Sequence, residues 1–373
     1  MINKEEVRKL YPYLNSGKIY FNHAAISPFS TRVIKRINEY LVERSETDIE
    51  NYDRTQKTIY NCKLKIGHLL NVEPDRIAFV DNTSNGLNIL AQGINWQPGD
   101  RIILNDIEFP SNVYPFLNLK KYGVEIDFVK SKNGVVSSED IINAIKPTTK
   151  LISISFVQYL SGYKANLDLI GEVCHVNKII FCVDAIQGLG ALQLDVPKCK
   201  IDFLACGTQK WLMSLQGLAF IYISEELQDI LSHKYVGWQS VENSWTLLNY
   251  DLVLKKSADA FQNGTISIIG VNGFDETLAM FFDLGFDNIE NEVLDNTLYF
   301  IKGLKVKGIH PIIDDDNIKN LSGIVSIKPG NPKETFDKLF NLDIVCSLRE
   351  GYIRFSPHFY NTKDEIDKVL SII

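Results

Sequence analysis

The sequence predicts an α/β fold with two domains, a large one built on a mainly parallel seven-stranded sheet and a smaller α+β domain at the C-terminal end. Seven short, mostly continuous apolar runs alternate with helix-like segments through residues 1–270. Strands that are covered on both faces need such runs. The pattern changes after residue 270, and a length of 373 residues suits about two domains.

The large domain follows from strands that alternate with helical periods. Helical spacing lies between several of the strands, for example at Asn85–Gly93 and Leu167–Val176. Such alternation is typical of right-handed crossovers and a parallel sheet. The predicted strands are Arg76–Val80, Arg101–Asn105, Val124–Val129, Leu151–Ser155, Ile179–Val183, Asp202–Cys206 and Leu218–Ile223.

The smaller domain follows from a mixed pattern near the end of the chain. A last helix starts at Thr362, whose spacing to Glu365 is that of a capping box. We expect residues 17–267 to form the large domain and residues 1–16 with 268–373 to form the small one. The other predicted elements are helices Gly273–Leu284 and Ile289–Leu304, strand Gly323–Ile327 and a hairpin over Ile344–Ser356.

Composition limits the partners and the compartment. A formal charge of −7 without a long Lys/Arg run argues against nucleic acid and against an acidic membrane surface. The first residues lack the apolar stretch of a secretory signal, and no apolar run approaches the roughly 20 residues that span a bilayer. The six cysteines form no C-x-x-C pair, which argues against a zinc site and favours buried, reduced thiols. We expect a cytoplasmic protein.

Polar residues that follow the strands are the candidates for chemistry, because ligands of open parallel sheets bind at the carboxyl ends of strands. Asp184 ends an apolar strand, where a carboxylate needs a cation or several donors to stay ionised; a helix cap is the alternative. Lys210 follows the next strand, where loss of solvation would lower its pKa and leave a nucleophilic amine, although most lysines are surface residues. Thr83 and Ser84 open a helix, which indicates either an anion site or an ordinary cap.

Three further patterns are less specific. Phe109 follows a strand and could stack on a planar cofactor, or it could be a core residue. Arg354 lies on the same predicted strand face as Tyr352 and could bind a carboxylate with a bidentate fork, or it could be exposed. Gly188 and Gly190 resemble a dinucleotide fingerprint, but the third glycine is missing, so we set a nicotinamide cofactor aside.

Five segments in one order resemble the class V aminotransferase family, which are pyridoxal 5′-phosphate (PLP) enzymes of fold type I. The segments extend from YFNHAA at residues 20–25 to RFSPHFYNT at residues 354–362. The most specific are VDAIQGLGALQLDV at residues 183–196 and IDFLACGTQKWL at residues 201–212. The family includes cysteine desulfurases and isopenicillin N epimerase, and the segments FVQYLSG and EFPSN are closer to the epimerase branch.

The resemblance implies a role for each candidate on the cofactor. Lys210 would hold PLP as a Schiff base and move the substrate's α-proton, and Asp184 would pair with the pyridine nitrogen. Gln187 would hydrogen-bond the ring oxygen, and Phe109 would stack on the ring. Thr83, Ser84 and Gln209 would bind the phosphate. Thr265, after Gly264, would bind the phosphate of the neighbouring subunit in a homodimer. Arg354 would bind the substrate's carboxylate.

Departures from the family pattern bear on the reaction. Gln209 replaces a common histidine, and Phe109 replaces the ring-stacking histidine of desulfurases. The one candidate for a desulfurase nucleophile, Cys346, lies in the strand-like run IVCSL and has the pattern of a packed residue.

We expect transamination of an amino acid. The alternatives are a cysteine or selenocysteine lyase, an epimerase, or a regulatory protein of the same fold without catalysis. His23, Tyr159, Tyr163 and His358 are candidates for recognising the substrate side chain.

Overall fold

The seven predicted strands form one sheet, each within two residues of its predicted bounds. The fold is known from a computed structural model, which describes residues 2–373. The strands of the described chain are β1 (Ile19–Tyr20), β2 (Ile77–Val80), β3 (Arg101–Asn105), β4 (Glu125–Val129), β5 (Thr149–Ser155), β6 (Ile180–Asp184), β7 (Phe203–Gly207), β8 (Ala219–Ile223), β9 (Val325–Ile327), β10 (Ile344–Val345), β11 (Ser347–Arg349) and β12 (Tyr352–Phe355).

Helices flank the sheet and make up most of the C-terminal part. The α-helices are α1 (Lys4–Lys9), α2 (Thr31–Val42), α3 (Tyr52–Leu70), α4 (Thr83–Gly93), α5 (Tyr114–Leu117), α6 (Ser138–Asn143), α7 (Leu167–Asn177), α8 (Glu225–Ile230), α9 (Ile268–Leu284), α10 (Phe286–Val306), α11 (Pro332–Asn341) and α12 (Lys363–Ile372). The predicted capping box is confirmed, since the Thr362 side chain caps α12 together with Glu365. Within residues 2–373, no helix combines the length and the apolar character needed to cross a membrane.

The central sheet is mainly parallel, as predicted. Its strand order is β2-β8-β7-β6-β5-β3-β4, and only β8 runs against its neighbours. Alternate residues of each strand enter two different apolar clusters; on β2, for example, Phe79 belongs to one and Ala78 to the other. Burial of both faces explains why these strands are continuously apolar rather than alternating.

A smaller antiparallel sheet, β11-β12-β9, carries the predicted C-terminal hairpin. The start of the chain joins this part, because β1 pairs with β10 and a bridge connects Asn22 to Ser356. Helix α9 packs against α2 and α3, and α10 packs against α12. The N-terminal segment therefore packs beside the C-terminal sheet.

Candidate active site

The carboxyl ends of β2, β3, β5, β6 and β7 meet at one edge of the sheet, and the predicted chemistry gathers there. Asp184 is the last residue of β6, and Lys210 comes three residues after the end of β7. Phe109 follows β3, and Thr83 opens α4 after β2. Parallel strands place their carboxyl ends on one side, so residues far apart in sequence become neighbours.

Lys210 and Asp184 form the charged centre of this edge. Burial raises the pKa of the Asp184 carboxyl. A hydrogen bond from the backbone N–H of Ile186, 3.1 Å away, and the positive charge of Lys210 both oppose this rise. Burial lowers the pKa of the Lys210 amine; Asp184 opposes that change, and the charge of Arg354 adds to it. A lysine with a lowered pKa spends more time as a neutral nucleophile.

The backbone around Lys210 is held by the N-terminal segment. The Ser27 hydroxyl donates to the Lys210 carbonyl at 2.5 Å, and the Ser27 N–H donates to the Gln209 carbonyl at 3.0 Å. The Lys210 Nζ atom lies 5.5 Å from the centre of the Phe109 ring. That ring is 42% exposed and packs edge-on against Tyr159, with ring centres 5.4 Å apart. Phe109 is therefore free to cover a planar group beside the lysine.

A polar cradle lies between the start of α4 and the end of β7. The buried Thr83 hydroxyl has no hydrogen-bond partner among the described residues. A Cβ atom on Gly207 would lie 2.6 Å from Gln209 Oε1 and 3.2 Å from Thr83 Oγ1, so only glycine leaves this space open. Ser84 is beside Thr83, and its hydroxyl donates to the Ser111 hydroxyl at 2.9 Å. Hydroxyls and N–H groups at a helix N-terminus form an anion site.

Gln187 follows the end of β6, three residues after Asp184, and is buried. Its Nε2 donates to the Ala24 carbonyl at 3.0 Å, and its Oε1 accepts from Trp211 Nε1 at 3.0 Å. One N–H of the amide is left for another acceptor.

Arg354 enters the site from β12. Its Nη1 donates to the Tyr159 carbonyl at 2.6 Å, and its buried Nε has no partner within the described chain. Burial and the charge of Arg349 lower its pKa to about 10. The guanidinium thus has donors available for a carboxylate.

Arg349 is a residue that the sequence interpretation missed. In the β11–β12 hairpin, Arg349 pairs with Tyr352, two residues before Arg354, so both arginines lie on one face. Arg349 is exposed, forms no ion pair within residues 2–373, and its charge lowers the pKa of Lys210. Arginine at the end of a short strand, directly before a β-hairpin turn, carries no signal in sequence; only the register reveals it.

Glu108 was also missed, although it gave the same signal as Asp184, a carboxylate after a strand. It is buried and accepts hydrogen bonds from Asn105 Nδ2 (2.7 Å), the Ser155 N–H (2.8 Å) and Gln158 Nε2 (2.9 Å). Ser155 is the register partner of Asp184, so two buried carboxylates flank the floor of the site.

Two histidine predictions are wrong. His23 and His358 are fully buried. His23 bonds to the Ser356 carbonyl (2.8 Å) and the Tyr360 hydroxyl (2.6 Å), and His358 Nε2 bonds to the Trp211 carbonyl (3.0 Å). They join the C-terminal segment to the lysine loop and have no free nitrogen for a substrate.

The other two candidates for side-chain recognition differ in exposure. Tyr163 is buried, whereas Tyr159 is half-buried beside Phe109 and Arg354. Only Tyr159 of the four lies where a substrate could reach it.

The glycine pair that resembled a dinucleotide fingerprint has a packing role. Gly190 adopts a φ of +100°, and a Cβ there would lie 2.3 Å from the Trp211 carbonyl oxygen. A Cβ on Gly188 would lie 2.1 Å from the Phe156 ring. Close approach of neighbouring groups explains both glycines without a nucleotide.

Thr265 is exposed on the loop before α9. It lines a cavity of about 760 Å³ together with Asp81 and Asn85, which lie at the start of α4, and with Tyr235. It thus faces outward near the helix that carries Thr83.

All six cysteines are unpaired and buried. Burial raises the pKa of the Cys346 thiol to about 12. The prediction that Cys346 is a packed residue is confirmed.

The residues at this edge fit PLP. Thr83 and the opening above Gly207 suit its phosphate, and the buried Asp184 carboxyl suits a cationic ring nitrogen that would restore its charge. Lys210 would provide the amine, and Phe109 an aromatic face.

Comparisons with known proteins identify the family of the chain. The profile described as Aminotransferase class-V matches residues 19–369. The chain is 27% identical to the uncharacterised aminotransferase YcbU of Bacillus subtilis, covering 97% of this chain and 95% of that protein. It is also 27% identical to a probable cysteine desulfurase of Methanothermobacter thermautotrophicus, with the same coverage.

A solved structure supports the fold in the same way. A cystine C–S lyase, in complex with its product cysteine persulfide, matches with a TM-score of 0.87 at 22% identity, over 97% of this chain and 98% of that one. The family profile covers nearly all of the sequence, and the fold shared with the solved structure is the one expected for that family. The chain belongs to the class V aminotransferase family and is a PLP-dependent enzyme.

Proposed function

We propose that this enzyme is a C–S lyase that acts on cysteine-type amino acids, with cystine as the substrate that its site suits best. The reaction removes the α-proton and breaks the Cβ–S bond. Cystine and water would yield cysteine persulfide, pyruvate and ammonia, so no oxidant or reductant is needed.

The absence of an accessible thiol carries this proposal. A desulfurase that receives sulfur on its own cysteine needs an exposed, mobile thiol with a lowered pKa. Each cysteine here is buried, and the pKa of Cys346 is raised. In a lyase, sulfur leaves on the substrate's own fragment, so the protein needs no nucleophilic cysteine.

Two arginines on one face of the hairpin, Arg349 and Arg354, support a substrate with two carboxylates. Arg354 would bind the α-carboxylate through its free Nε–H, since a guanidinium binds carboxylates with a planar fork. Arg349, on the same hairpin face and nearer to solvent, would bind the second carboxylate of cystine. Cysteine has only one carboxylate and would leave Arg349 without a partner.

The cofactor would withdraw electrons from the substrate's α-carbon when it is bound. Lys210, as the amine with a lowered pKa, would take the α-proton, and Asp184 would keep the ring nitrogen cationic. Phe109 would cover the ring face.

The other polar side chains would position the cofactor. Thr83, Ser84 and Gln209 would hold the phosphate, and the free N–H of Gln187 would donate to the ring oxygen. Thr265 would complete the phosphate site of a second copy of the chain, which its exposed position next to α4 supports. The proposal thus includes a homodimer, and six buried free thiols suit a reducing compartment such as the cytoplasm.

Transamination, the reaction expected from the sequence, is the second candidate. The aminotransferase relative favours it, and it needs the same lysine, carboxylate and arginine. The two reactions differ in one requirement. A transaminase stops after one turnover unless a 2-oxo acid accepts the amino group, whereas a lyase continues without one.

The test is turnover of cystine by the PLP-loaded protein with no 2-oxo acid present. Continuous release of pyruvate and ammonia in equal amounts is expected. A single turnover that a 2-oxo acid restarts would instead show transamination.

A further inference from the structure

Trp211 is in contact with the amide that is proposed to bind the cofactor's ring oxygen. It directly follows Lys210, and its side chain is fully buried. Its Nε1–H donates to Gln187 Oε1 at 3.0 Å. Neither the family roles nor the proposed reaction uses this contact.

The two partners of Gln187 determine which way its amide points. An indole N–H can only donate, so it must face the amide oxygen. The Ala24 carbonyl can only accept, so it must face Nε2, 3.0 Å away. With both partners present, reversal of the amide would place donor against donor and acceptor against acceptor, in a buried site where unsatisfied groups are costly.

Trp211 is itself held from three sides. His358 Nε2 donates to its carbonyl at 3.0 Å. A Cβ on Gly323 would lie 2.3 Å from its ring, and a Cβ on Gly190 would lie 2.3 Å from its carbonyl oxygen. Gly190 lets the chain approach the Trp211 backbone, and Gly323 lies against the ring, so the indole has little room to turn away from Gln187.

We propose that Trp211 is a positioning residue whose indole N–H holds the Gln187 amide with its remaining N–H free to donate to the cofactor's ring oxygen. The inference rests on the proposed role of Gln187. A donor at that oxygen withdraws negative charge from the neighbouring nitrogen that joins Lys210 to the cofactor. That nitrogen then holds its proton less tightly.

The test is the pH titration of the visible absorbance of the PLP-loaded protein, which reports the pKa of the Lys210–cofactor linkage. Trp211→Phe keeps an aromatic ring and removes the N–H, so this pKa should rise by about one unit. Gln187→Met should raise it by a similar amount, and the double variant should add nothing further. Trp96→Phe is the matched control, because the Trp96 indole donates to the Ala91 carbonyl elsewhere.

An unchanged pKa in Trp211→Phe, or fully additive shifts in the two variants, would overturn the proposal. If Gln187→Met alone leaves the pKa unchanged, the proposed role of Gln187 fails. Absence of any visible band in the wild-type protein would instead exclude the cofactor. The failure of this inference and the failure of the proposed function are therefore distinguishable.

A second measurement covers the case in which Trp211→Phe does not fold. The chain has four tryptophans, so ¹⁵N-labelled indole groups give four NMR signals. The Trp211 signal should move, and its N–H should exchange faster, in Gln187→Met than in the wild type. An unmoved set of four signals would contradict the contact.

Discussion

Lowering the pH from 6.5 towards 4 should weaken the fold through the two histidines buried behind the lysine loop. Burial lowers the pKa of His358 from 6.5 to about 4 and that of His23 well below its usual value. In this window the unfolded chain binds protons that the folded chain cannot. The contribution of these two histidines to the free energy of unfolding is therefore fully present above pH 6.5 and is lost as the pH falls towards their folded pKa.

The magnitude follows from the shift of His358. The difference between the unfolded and folded pKa of His358 corresponds to about 3 kcal/mol of unfolding free energy lost between pH 6.5 and 4. This is about 1.4 kcal/mol per pH unit where only the unfolded chain is protonated. His358→Gln should remove most of this dependence, because its amide can donate to the Trp211 carbonyl without a titrating group.

Urea unfolding at pH 7, 6 and 5 measures the effect. The wild type should lose stability between pH 6 and 5 more steeply than His358→Gln. His310→Gln replaces an exposed histidine and is the matched control. Equal slopes in the wild type and His358→Gln would refute the reasoning.

Three further predictions concern the site. Gly207→Ala should weaken PLP binding about tenfold or more in a titration of the apo-protein, since its Cβ would enter the cradle; Gly330→Ala, where a Cβ meets nothing within 4 Å, is the control, and equal affinities would contradict the cradle. Arg354→Gln should lower kcat/KM about tenfold or more for cystine and cysteine alike, whereas Arg349→Gln should affect only cystine; equal losses on both substrates would remove the second-carboxylate role. Lys210→Ala should lose both the visible band and turnover, and retained turnover would exclude its proposed role.

The central sheet was predictable from sequence because its strands are buried on both faces. Continuous apolar runs such as the one before Asp184 stand out against the helices, and strand ends then indicate the edge where ligands bind. The same reasoning placed Lys210, Phe109 and Thr83 at one edge, where the structure has them. The domain bounds at residues 16/17 and 267/268 stay a prediction.

Features that depend on packing could not be predicted. His23 and His358 lie in matched segments, but sequence does not tell which side of a chain faces a cavity, and both face the interior. Only the hairpin register places Arg349 on the same face as Arg354. Glu108 could have been noticed as a carboxylate after a strand, the signal that singled out Asp184.

The destination of the sulfur tests the proposed lyase reaction most directly. The PLP-loaded wild type and Cys346→Ser would be given cystine, and mass spectrometry would follow sulfur in the small molecules and on the protein. The proposal predicts one cysteine persulfide in solution for each pyruvate, equal in both proteins, with no persulfide on the chain. A persulfide on Cys346, with activity lost in Cys346→Ser, would contradict it and establish a desulfurase.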